Sequence, residues 1–300
     1  MNSRVEIRGR LGADEVAAVL AVVDAATEAD GVRPLNEHVM LHLRYGGEEQ
    51  ARNALLYVGD RLAGYAHVDP TDVVEGPSGE LVIHPEFRRR GLGRRLLDAV
   101  LNETGGRLRL WAHGGHPGAE RLAASAGFSR VRSLWQMRRS LYAALPDPVL
   151  PEGIRIAAFR PGVDEEAWLA VNRRAFADHP EQGAWTLEDV KRREQESWFD
   201  PEGFFLAWRG ERLAGFHWTK VHGDGEHAHE PIGEVYVVGV DPSEQGTGLG
   251  RALVLTGLRH LRARGLAQVM LYVDEANTPA IRLYESLGFT HWDTDVMYRR

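Results

Sequence analysis

Two glycine-containing stretches have residue types and spacing that suit the binding of an anion. They read "HPEFRRRGLGRRL" at 84–96 and "DPSEQGTGLGRAL" at 241–253, and each lies between an apolar run and an amphipathic run. A strand that leads through glycines into a helix points unpaired backbone N–H groups at one spot, where the helix dipole adds positive charge. Glycine also lets the backbone approach a ligand closely. The pattern therefore predicts an anion site in each stretch, with a pyrophosphate as the expected ligand.

The spacing of the glycines excludes two better-known phosphate loops. Leu96 and Leu253 occupy the third glycine position of a Rossmann motif, and no G-K-[ST] of a P-loop is present. A turn without a ligand is the alternative for a single "GLG", but the second occurrence in the same context weighs against it. Five arginines and no carboxylate between Arg88 and Arg95 add positive charge to the first stretch. A polyanion is therefore favoured there over a merely solvated helix start.

A carboxylate and a phenol near the second stretch are candidates for proton transfer. Glu234 begins an otherwise apolar strand, where a charged side chain is costly unless it is paired or used. Tyr284 lies in a predicted helix that follows the second loop. The ordinary alternatives are a solvated strand end for Glu234 and a core residue for Tyr284.

The two stretches belong to two copies of one unit. Their "HP" and "DP" align when their "GLG" segments align, and "RLAASAGF" at 121–128 echoes "RLYESLGF" at 282–289. A period of domain size indicates a tandem duplication. Prolines mark the seam. We therefore expect an N-terminal domain at 1–140, a linker at 141–152 and a C-terminal domain at 153–300.

The hydrophobic periodicity of each copy predicts a mixed α/β (α+β) fold. An opening strand precedes two helices, two hairpin strands, a buried strand, the glycine loop and its helix. A further strand, a short helix and a last strand complete the copy. The early helices are predicted around 13–29, 35–45, 163–176 and 186–196. Each glycine loop is thereby placed where a buried strand meets a helix.

The composition narrows the class of protein. A hydrophobic fraction of 43%, a charged fraction of 26% and a length of 300 residues are typical of a soluble chain of two domains. A net charge of −7 argues against a nucleic-acid partner, and no apolar run approaches the ~20 residues that span a bilayer. The chain lacks cysteine and an apolar signal core, so we expect a cytoplasmic protein, and we also expect a monomer. His222, His227 and His229 have no firm metal-ligand spacing, so no metal is expected.

The loops resemble the acyl-CoA loop of the GNAT-type N-acetyltransferases, whose pattern is [RQ]-x-x-G-x-[GA]. The segment at 277–289 is similar to the next GNAT motif. The stretches "HPEQG" at 179–183, "FHWTKVH" at 216–222 and "GEVYVVGVDP" at 233–242 resemble the mycothiol synthases, which are tandem acetyltransferases of actinobacteria. The resemblance covers nearly the whole chain. One departure is that Gly246 and Thr247 stand where basic residues are common.

This resemblance implies transfer of acetyl from acetyl-CoA to the cysteinyl amine of desacetylmycothiol, with Glu234 as general base and Tyr284 as general acid. Acetyl-CoA is the implied co-substrate, with one molecule bound by each domain. The implied acetyl-CoA contacts are Leu81, Val82, Ile83, Arg88, Arg89, Arg90, Gly91, Leu92, Gly93, Arg94, Val238, Gly239, Val240, Gln245, Gly246, Thr247, Gly248, Leu249, Gly250, Arg251, Asn277, Ala280 and Arg282. The implied acceptor contacts are Glu37, Glu181, Lys220, Glu234 and Tyr272.

At the matched positions, the N-terminal copy lacks the carboxylate and the phenol that are the candidates for proton transfer. Counting along the aligned motifs matches Glu234 with Pro77, Tyr284 with Ala123 and Asn277 with His116. Glu80 aligns with Val237, an odd number of residues from Glu234, and would face the other side of a regular strand. We therefore expect this copy to bind acetyl-CoA without catalysis, and Glu37 to reach the substrate of the other half.

Two alternatives remain open at this point. The chain could acetylate another amine, such as a peptide N-terminus or an aminoglycoside, because the loops recognise only the acyl donor. It could also be a non-enzymatic acetyl-CoA sensor. Glu234 and Tyr284 together argue against a sensor in the C-terminal half.

Overall fold

The computed structural model describes residues 2–46, 49–72, 75–223 and 231–300, apart from the side chains of Pro180 and Glu181. The chain forms two compact units. Met1–Trp135 and Asp293–Arg300 make up the first, and Gln136–Trp292 makes up the second. None of the helices in these ranges is long and apolar enough to cross a bilayer.

Both copies follow the same order of elements. The N-terminal copy forms β1 (Ser3–Arg8), α1 (Ala13–Asp30), α2 (Glu37–Tyr45), β2 (Arg52–Val58), β3 (Arg61–Asp69), β4 (Ser78–Ile83), α3 (Leu92–Glu103), β5 (Arg109–Ala112), α4 (Pro117–Ser125) and β6 (Ser129–Ser140). The C-terminal copy forms β7 (Ile154–Ala158), α5 (Glu165–Ala175), α6 (Pro180–Gly183), α7 (Leu187–Glu194), β8 (Phe204–Arg209), β9 (Arg212–His222), β10 (Ile232–Val240), α8 (Leu249–Ala263), β11 (Gln268–Asp274), α9 (Thr278–Ser286) and β12 (Thr290–Arg299).

Each unit is built on one mixed sheet. The strand order is β1-β2-β3-β4-β5-β12 in the first unit, which contains β12 from Asp293 onward, and β6-β11-β10-β9-β8-β7 in the second, which contains β6 from Gln136 onward. The parallel pairs are β4 with β5 and β10 with β11. Among the described residues, these pairs end at Glu80 with Trp111 and at Val235 with Leu271, although β4 and β10 continue further. In this described part of the chain, the last residues of β4 and β10 therefore pair on one side only, with β3 and β9, and they lead directly into the two glycine loops.

Amphipathic helices cover the sheets and hold the loops in place. The buried face of α3 consists of Leu92, Leu96, Leu97, Val100 and Leu101. In α8 the corresponding face includes Leu249, Ala252, Leu253, Leu258 and Leu261. Burial of such leucine faces contributes about 2 kcal/mol for each side chain. This packing fixes where each helix begins, and therefore where its free N–H groups point.

The helices predicted from periodicity agree with the structure to within two residues at either end. The domain boundaries differ. Asp293–Arg300 belongs to the first unit and Gln136–Ser140 to the second, whereas the sequence placed them at 153–300 and 1–140. The reason is strand pairing, because β12 runs antiparallel to β5, with Val296 opposite Ala112 and Arg299 opposite Arg109.

Candidate active site

The glycine that precedes each loop helix has a left-handed backbone conformation. Gly91 caps α3 with a φ of 77°, and Gly248 caps α8 with a φ of 90°. A Cβ added at either glycine would meet nothing within 4 Å, so conformation and not crowding demands glycine. Gly246 also has a positive φ of 78°, and Arg89, its counterpart, has a φ of 61°. The departure at Gly246 therefore relieves backbone strain while it gives up a positive charge.

A cavity of about 520 Å³ opens beside the first glycine loop. Its wall includes the end of β4, the loop, β5 and the start of α4. The predicted acetyl-CoA residues that line it are Leu81, Val82, Ile83, Arg88, Arg89, Gly91, Gly93 and Arg94. Leu92 instead packs into the core, and the Arg90 guanidinium lies 5.8 Å from the centre of the Phe87 ring. A cavity of this volume is the size of a small-molecule site.

Arginines in the first loop also stabilise the loop itself. The Arg88 guanidinium makes two hydrogen bonds of 2.7 Å to the Asp30 carboxylate and one of 3.0 Å to the Ile83 carbonyl. Arg94 donates to Asp98 at 2.8 Å. The charge of the arginine cluster is thus partly balanced, and Arg89 is an exposed cation on the cavity wall.

The second loop is held by a similar set of contacts. The Thr247 hydroxyl donates to the Glu244 carbonyl at 2.7 Å, and Arg251 donates to the Ser286 hydroxyl at 2.7 Å. Arg209 donates to both oxygens of the Glu244 carboxylate at 2.9 Å. Gln245, Gly246, Thr247 and Gly248 are exposed, while Leu249 is buried. These hydrogen bonds and the buried Leu249 hold the loop in place, while the residues from Gln245 to Gly248 stay accessible to solvent.

The motif that follows the second loop has a structural role as well as its predicted one. The Asn277 side chain caps α9 by accepting the backbone N–H of Ala280 at 3.2 Å. His116 does the same at the start of α4, where it accepts from Gly118 at 3.0 Å. Arg282 is exposed on α9. The matched positions therefore share a capping function in addition to any contact with a cofactor.

Glu234 lies near the start of β10 and is only 7% exposed. Its Oε2 is 2.5 Å from Nε2 of His222 at the end of β9. Directly across the two strands, Glu234 pairs with Lys220. A nearly buried carboxylate that contacts a histidine at the end of a neighbouring strand is a candidate proton acceptor.

Tyr284 lies on the buried face of α9. Its ring is 5.8 Å from that of Phe289, with the edge of one directed at the face of the other. Burial raises the pKa of the Tyr284 hydroxyl to about 12. The phenol therefore keeps its proton throughout the pH range in which enzymes work.

The predicted acceptor residues have distinct settings. Lys220 is 8% exposed, and its Nζ lies 4.2 Å from the ring centre of Trp198 and 4.9 Å from that of Tyr236. The Tyr272 hydroxyl accepts a 2.8 Å hydrogen bond from Gln136. Lys220 and Glu234 thus lie side by side on neighbouring strands of the second unit.

The other two predicted acceptor residues lie on other elements. Glu37 opens α2 in the first unit. Glu181 lies in α6, and its side chain is outside the described part of the structure. His227 and His229 also lie outside the described residues, in which no group of three or more His, Asp or Glu side chains is placed so that it could hold a metal ion.

A bulge corrects the alignment of the two copies. The register of β10 against β9 shifts between Val235 and Val237, so β10 gains one residue. By its parallel pairing, Glu234 faces Met270 as Ser78 faces Arg109. The counterpart of Glu234 is therefore Ser78 and not Pro77. Glu80 is two residues beyond Ser78 and shares its face, so the expectation of opposite faces was wrong.

Glu80 belongs to a buried network that the sequence did not predict. One carboxylate oxygen is 3.0 Å from Nε2 of His113, and the other accepts the backbone N–H of Asn36 at 2.7 Å. Nδ1 of His113 lies 2.7 Å from the carboxylate of Asp295. Burial disfavours a charged imidazole, but Glu80 and Asp295 together outweigh it and raise the pKa of His113 to about 10. Residues so far apart in sequence carry no local signal of this contact.

Comparisons with known proteins agree with this architecture. A model of the acetyltransferase (GNAT) domain matches residues 50–130, and a model of the acetyltransferase (GNAT) family matches residues 167–289. Among solved structures, a tandem GNAT protein from the clavulanic acid biosynthesis pathway has a TM-score of 0.75 at 19% identity, covering 99% of this chain and 98% of that one. A GCN5-related N-acetyltransferase from Sphaerobacter thermophilus has a TM-score of 0.67 at 28% identity, covering 99% and 95%. The predicted tandem α/β fold is confirmed.

Curated relatives define the family more narrowly. The mycothiol acetyltransferase of Streptosporangium roseum is 69% identical to this chain, and that of Thermobispora bispora is 68% identical. In both cases the match covers 100% of each chain. The chain therefore belongs to the GNAT acetyltransferases and, within them, to the family of the mycothiol acetyltransferases.

Proposed function

We propose that this protein transfers the acetyl group of acetyl-CoA to the cysteinyl amine of desacetylmycothiol, which yields mycothiol and CoA. Full-length identity of 69% to a mycothiol acetyltransferase supports the reaction. The structural observation that carries this proposal is the position of Glu234. Its side chain is nearly buried, close to the segment of β10 that extends beyond the described pairing with β11. The C-terminal unit is the proposed catalytic one.

The chemistry follows from the groups in this unit. Glu234 accepts a proton from the acceptor amine, whose pKa is near ~8, and the neutral amine attacks the thioester carbon. Backbone N–H groups around Val238–Val240 stabilise the oxyanion, an interaction worth about 3 kcal/mol. The attacking nitrogen releases its second proton to solvent, the C–S bond breaks as the tetrahedral intermediate collapses, and the sulfur accepts a hydrogen bond from Tyr284. No acetyl-enzyme is formed.

Tyr284 is a weaker acid than an ordinary tyrosine. A free tyrosine has a pKa of ~10, close to the ~8.5 of a thiol, whereas burial raises the pKa of Tyr284 to about 12. Full proton transfer to the sulfur is then less favourable. We propose that Tyr284 acts chiefly as a hydrogen-bond donor to the departing thiolate, which completes its protonation from solvent.

The N-terminal unit is proposed to bind a second acetyl-CoA without turning it over. The cavity beside its glycine loop supports binding. Ser78 and Ala123 stand at the positions of Glu234 and Tyr284, and neither can replace the proposed base or donor. We also propose a cytoplasmic reaction and a monomeric chain, which light scattering of the purified protein tests.

The experiment for the reaction is a mass-spectrometric assay with acetyl-CoA and a panel of amines. The panel contains desacetylmycothiol, an aminoglycoside and a peptide with a free N-terminus. We expect acetylation of desacetylmycothiol on its cysteinyl nitrogen, with kcat/KM at least ~10-fold above the other amines. Preference for another amine would reassign the acceptor, and CoA binding without acetyl transfer to any amine would support a sensor.

A further inference from the structure

The contact between His222 and Glu234 joins the ends of two neighbouring strands. In the antiparallel pair of β9 and β10, His222 is opposite Ile232 and Lys220 is opposite Glu234. All four side chains therefore lie on one face of the sheet. The His222 side chain is 33% exposed and that of Glu234 is 9% exposed. The pair thus lies at the boundary between the buried strand and solvent.

A separation of 2.5 Å between Nε2 of His222 and Oε2 of Glu234 requires a proton between the two atoms. Two lone pairs at this distance would repel each other. The acidic oxygen accepts and the ring nitrogen donates when Glu234 is the ionised base that the proposed function needs. Oε2 is then occupied, and Oε1 remains to accept a proton from the substrate.

Lys220 is a cation on the strand next to Glu234, but its position suggests a different task. Its Nζ lies over the rings of Trp198 and Tyr236. In the described part of the chain, the hydrogen-bond partner of the Glu234 carboxylate is His222. Tyr236 is itself held by a 2.8 Å hydrogen bond from Arg193. The aromatic rings thus keep the lysine amine in place, and the histidine orients the carboxylate.

We infer that His222 is a positioning residue for the general base: its Nε2–H donates to Oε2 and holds the Glu234 carboxylate in the orientation in which Oε1 receives the amine proton. The inference rests on the proposed role of Glu234. The amine proton moves to Oε1 before the C–N bond forms, while Nε2 of His222 keeps its own proton. After the product leaves, Oε1–H returns its proton to solvent. A glutamate side chain has several rotatable bonds, so a fixed hydrogen bond removes unproductive orientations.

The test is a set of single and double variants assayed with the amine that wild type prefers. His222→Leu removes the donor, whereas His222→Gln keeps an amide nitrogen at the same number of bonds from Cβ. We expect His222→Leu to lower kcat about 10-fold or more, with the KM for acetyl-CoA unchanged and much of the loss restored in His222→Gln. In a Glu234→Gln background, His222→Leu should change kcat less than about 2-fold, because there is no base left to orient.

Ile232→Ala is the matched control for general loosening of the strand ends. Ile232 lies directly opposite His222 and does not touch the carboxylate through a hydrogen bond. We expect it to keep kcat near that of wild type. Circular dichroism and acetyl-CoA binding establish that each variant is folded.

Three results would overturn the role of His222: wild-type kcat in folded His222→Leu, an equal loss in Ile232→Ala, or losses that multiply fully in the double variant. Failure of the proposed base has a different signature. In that case Glu234→Gln alone keeps wild-type kcat, whatever the behaviour of His222 variants. The two inferences are therefore separated by the same data set.

Discussion

At the scale of single residues, the reaction depends on which groups hold protons near neutral pH. The acceptor amine is mostly protonated at pH 7, so attack requires a base. Glu234 has the position for this task, and Tyr284 keeps its proton because it is buried. The roles that we propose for them are therefore opposite, with Glu234 as the proton acceptor and Tyr284 as the hydrogen-bond donor.

Replacement of the base should give a pH-dependent defect. We expect Glu234→Gln to lower kcat about 100-fold at pH 7, because the amide cannot accept the amine proton. The defect should shrink above pH ~9, where the amine is deprotonated without help. Steady-state kcat of both proteins from pH 6 to 10 checks this. A defect of constant size across that range would argue against general-base catalysis.

Replacement of the phenol should give a defect that does not vary with pH. Tyr284→Phe removes the hydrogen bond to the departing sulfur, and we expect kcat to fall about 10-fold. Since the pKa of Tyr284 is about 12, the hydroxyl is protonated from pH 6 to 10 and the ratio of rates should be flat. The control is Tyr142→Phe, at a tyrosine that is 84% exposed. An alkaline loss in wild type that Tyr284→Phe abolishes would contradict the raised pKa.

Residue types alone predicted Glu234 and Tyr284 as candidates but missed the partner of the base. A carboxylate in an apolar strand is visible in one dimension, whereas His222 is brought to it by the pairing of β9 with β10. The sequence analysis considered the histidines of this region only as possible metal ligands. The register of β9 with β10 brings His222 to Glu234.

At the scale of elements, close packing between α8 and β9 fixes the position of the helix that follows the second glycine loop. His217 on β9 is buried, and its Nδ1 lies 2.8 Å from the Leu253 carbonyl of α8. Burial lowers the pKa of His217 to about 4, although the hydrogen bond to Leu253 opposes this shift. The ring is therefore neutral and donates Nδ1–H to the Leu253 carbonyl. Because this hydrogen bond holds the ring against α8, there is no room for a side chain on α8 where the helix crosses β9.

Gly257 of α8 occupies that crossing point. A Cβ added there would lie 2.1 Å from Cε1 of His217 and 2.9 Å from the Thr219 methyl. We expect Gly257→Ala to lower the free energy of unfolding by about 1–3 kcal/mol. Gly250→Ala in the same helix is the control, because its nearest contact would be Val240 at 3.6 Å. Urea unfolding checks both, and an unfolding free energy for Gly257→Ala at or above that of the control would contradict close packing here.

The imidazole of His113 should make the stability of the first unit depend on pH. Its pKa in the folded state is about 10, above the ordinary ~6.5. The stabilisation is therefore complete below pH ~6.5 and is lost as the pH rises through about 10. We expect His113→Leu to cost about 3 kcal/mol at pH 6, since it leaves two carboxylates without their partner.

The difference between wild type and His113→Leu should become smaller towards pH 10. Urea unfolding, followed by hydrogen exchange of β4 amides, measures it at each pH. His116→Leu is the control, because the His116 side chain is 40% exposed. A difference that stays constant from pH 6 to 10 would show that His113 is not a charged link between Glu80 and Asp295.

The elements themselves were largely predictable because hydrophobic period and glycine position are local properties. The β10 bulge was not, since one extra residue leaves the apolar pattern of "VYVVGV" unchanged. The consequence was a displaced match, Pro77 in place of Ser78. The pairing of the last strand, β12, with β5 was also not predictable, because a repeat in sequence does not specify which sheet a strand will join.

At the scale of the whole molecule, two copies of one unit have kept the same loop with different surroundings. Gly91 and Gly248 are a natural pair for comparison, because both have positive φ and open space at Cβ. Gly91→Trp and Gly248→Trp should therefore strain their backbones to a similar extent. Any difference in their effects then reports on the function of each unit.

We expect Gly91→Trp to remove one of two bound acetyl-CoA molecules while most turnover is retained, and Gly248→Trp to abolish turnover. Calorimetric stoichiometry and kcat of folded variants check this. Turnover lost in Gly91→Trp and retained in Gly248→Trp would reverse the roles of the two units.

The position of β12 has a consequence for how the protein is made. The first unit contains residues 1–135 and also the last eight residues of the chain, Asp293–Arg300. On the ribosome, the first unit therefore waits with the edge of β5 open and His113 without Asp295 until residues 293–300 have been synthesised. A ribosome that stalls anywhere in the second copy would release a first unit lacking β12. Folding of the first unit is thus completed only after the second copy has been synthesised, which ties the quality of both units to synthesis through β12.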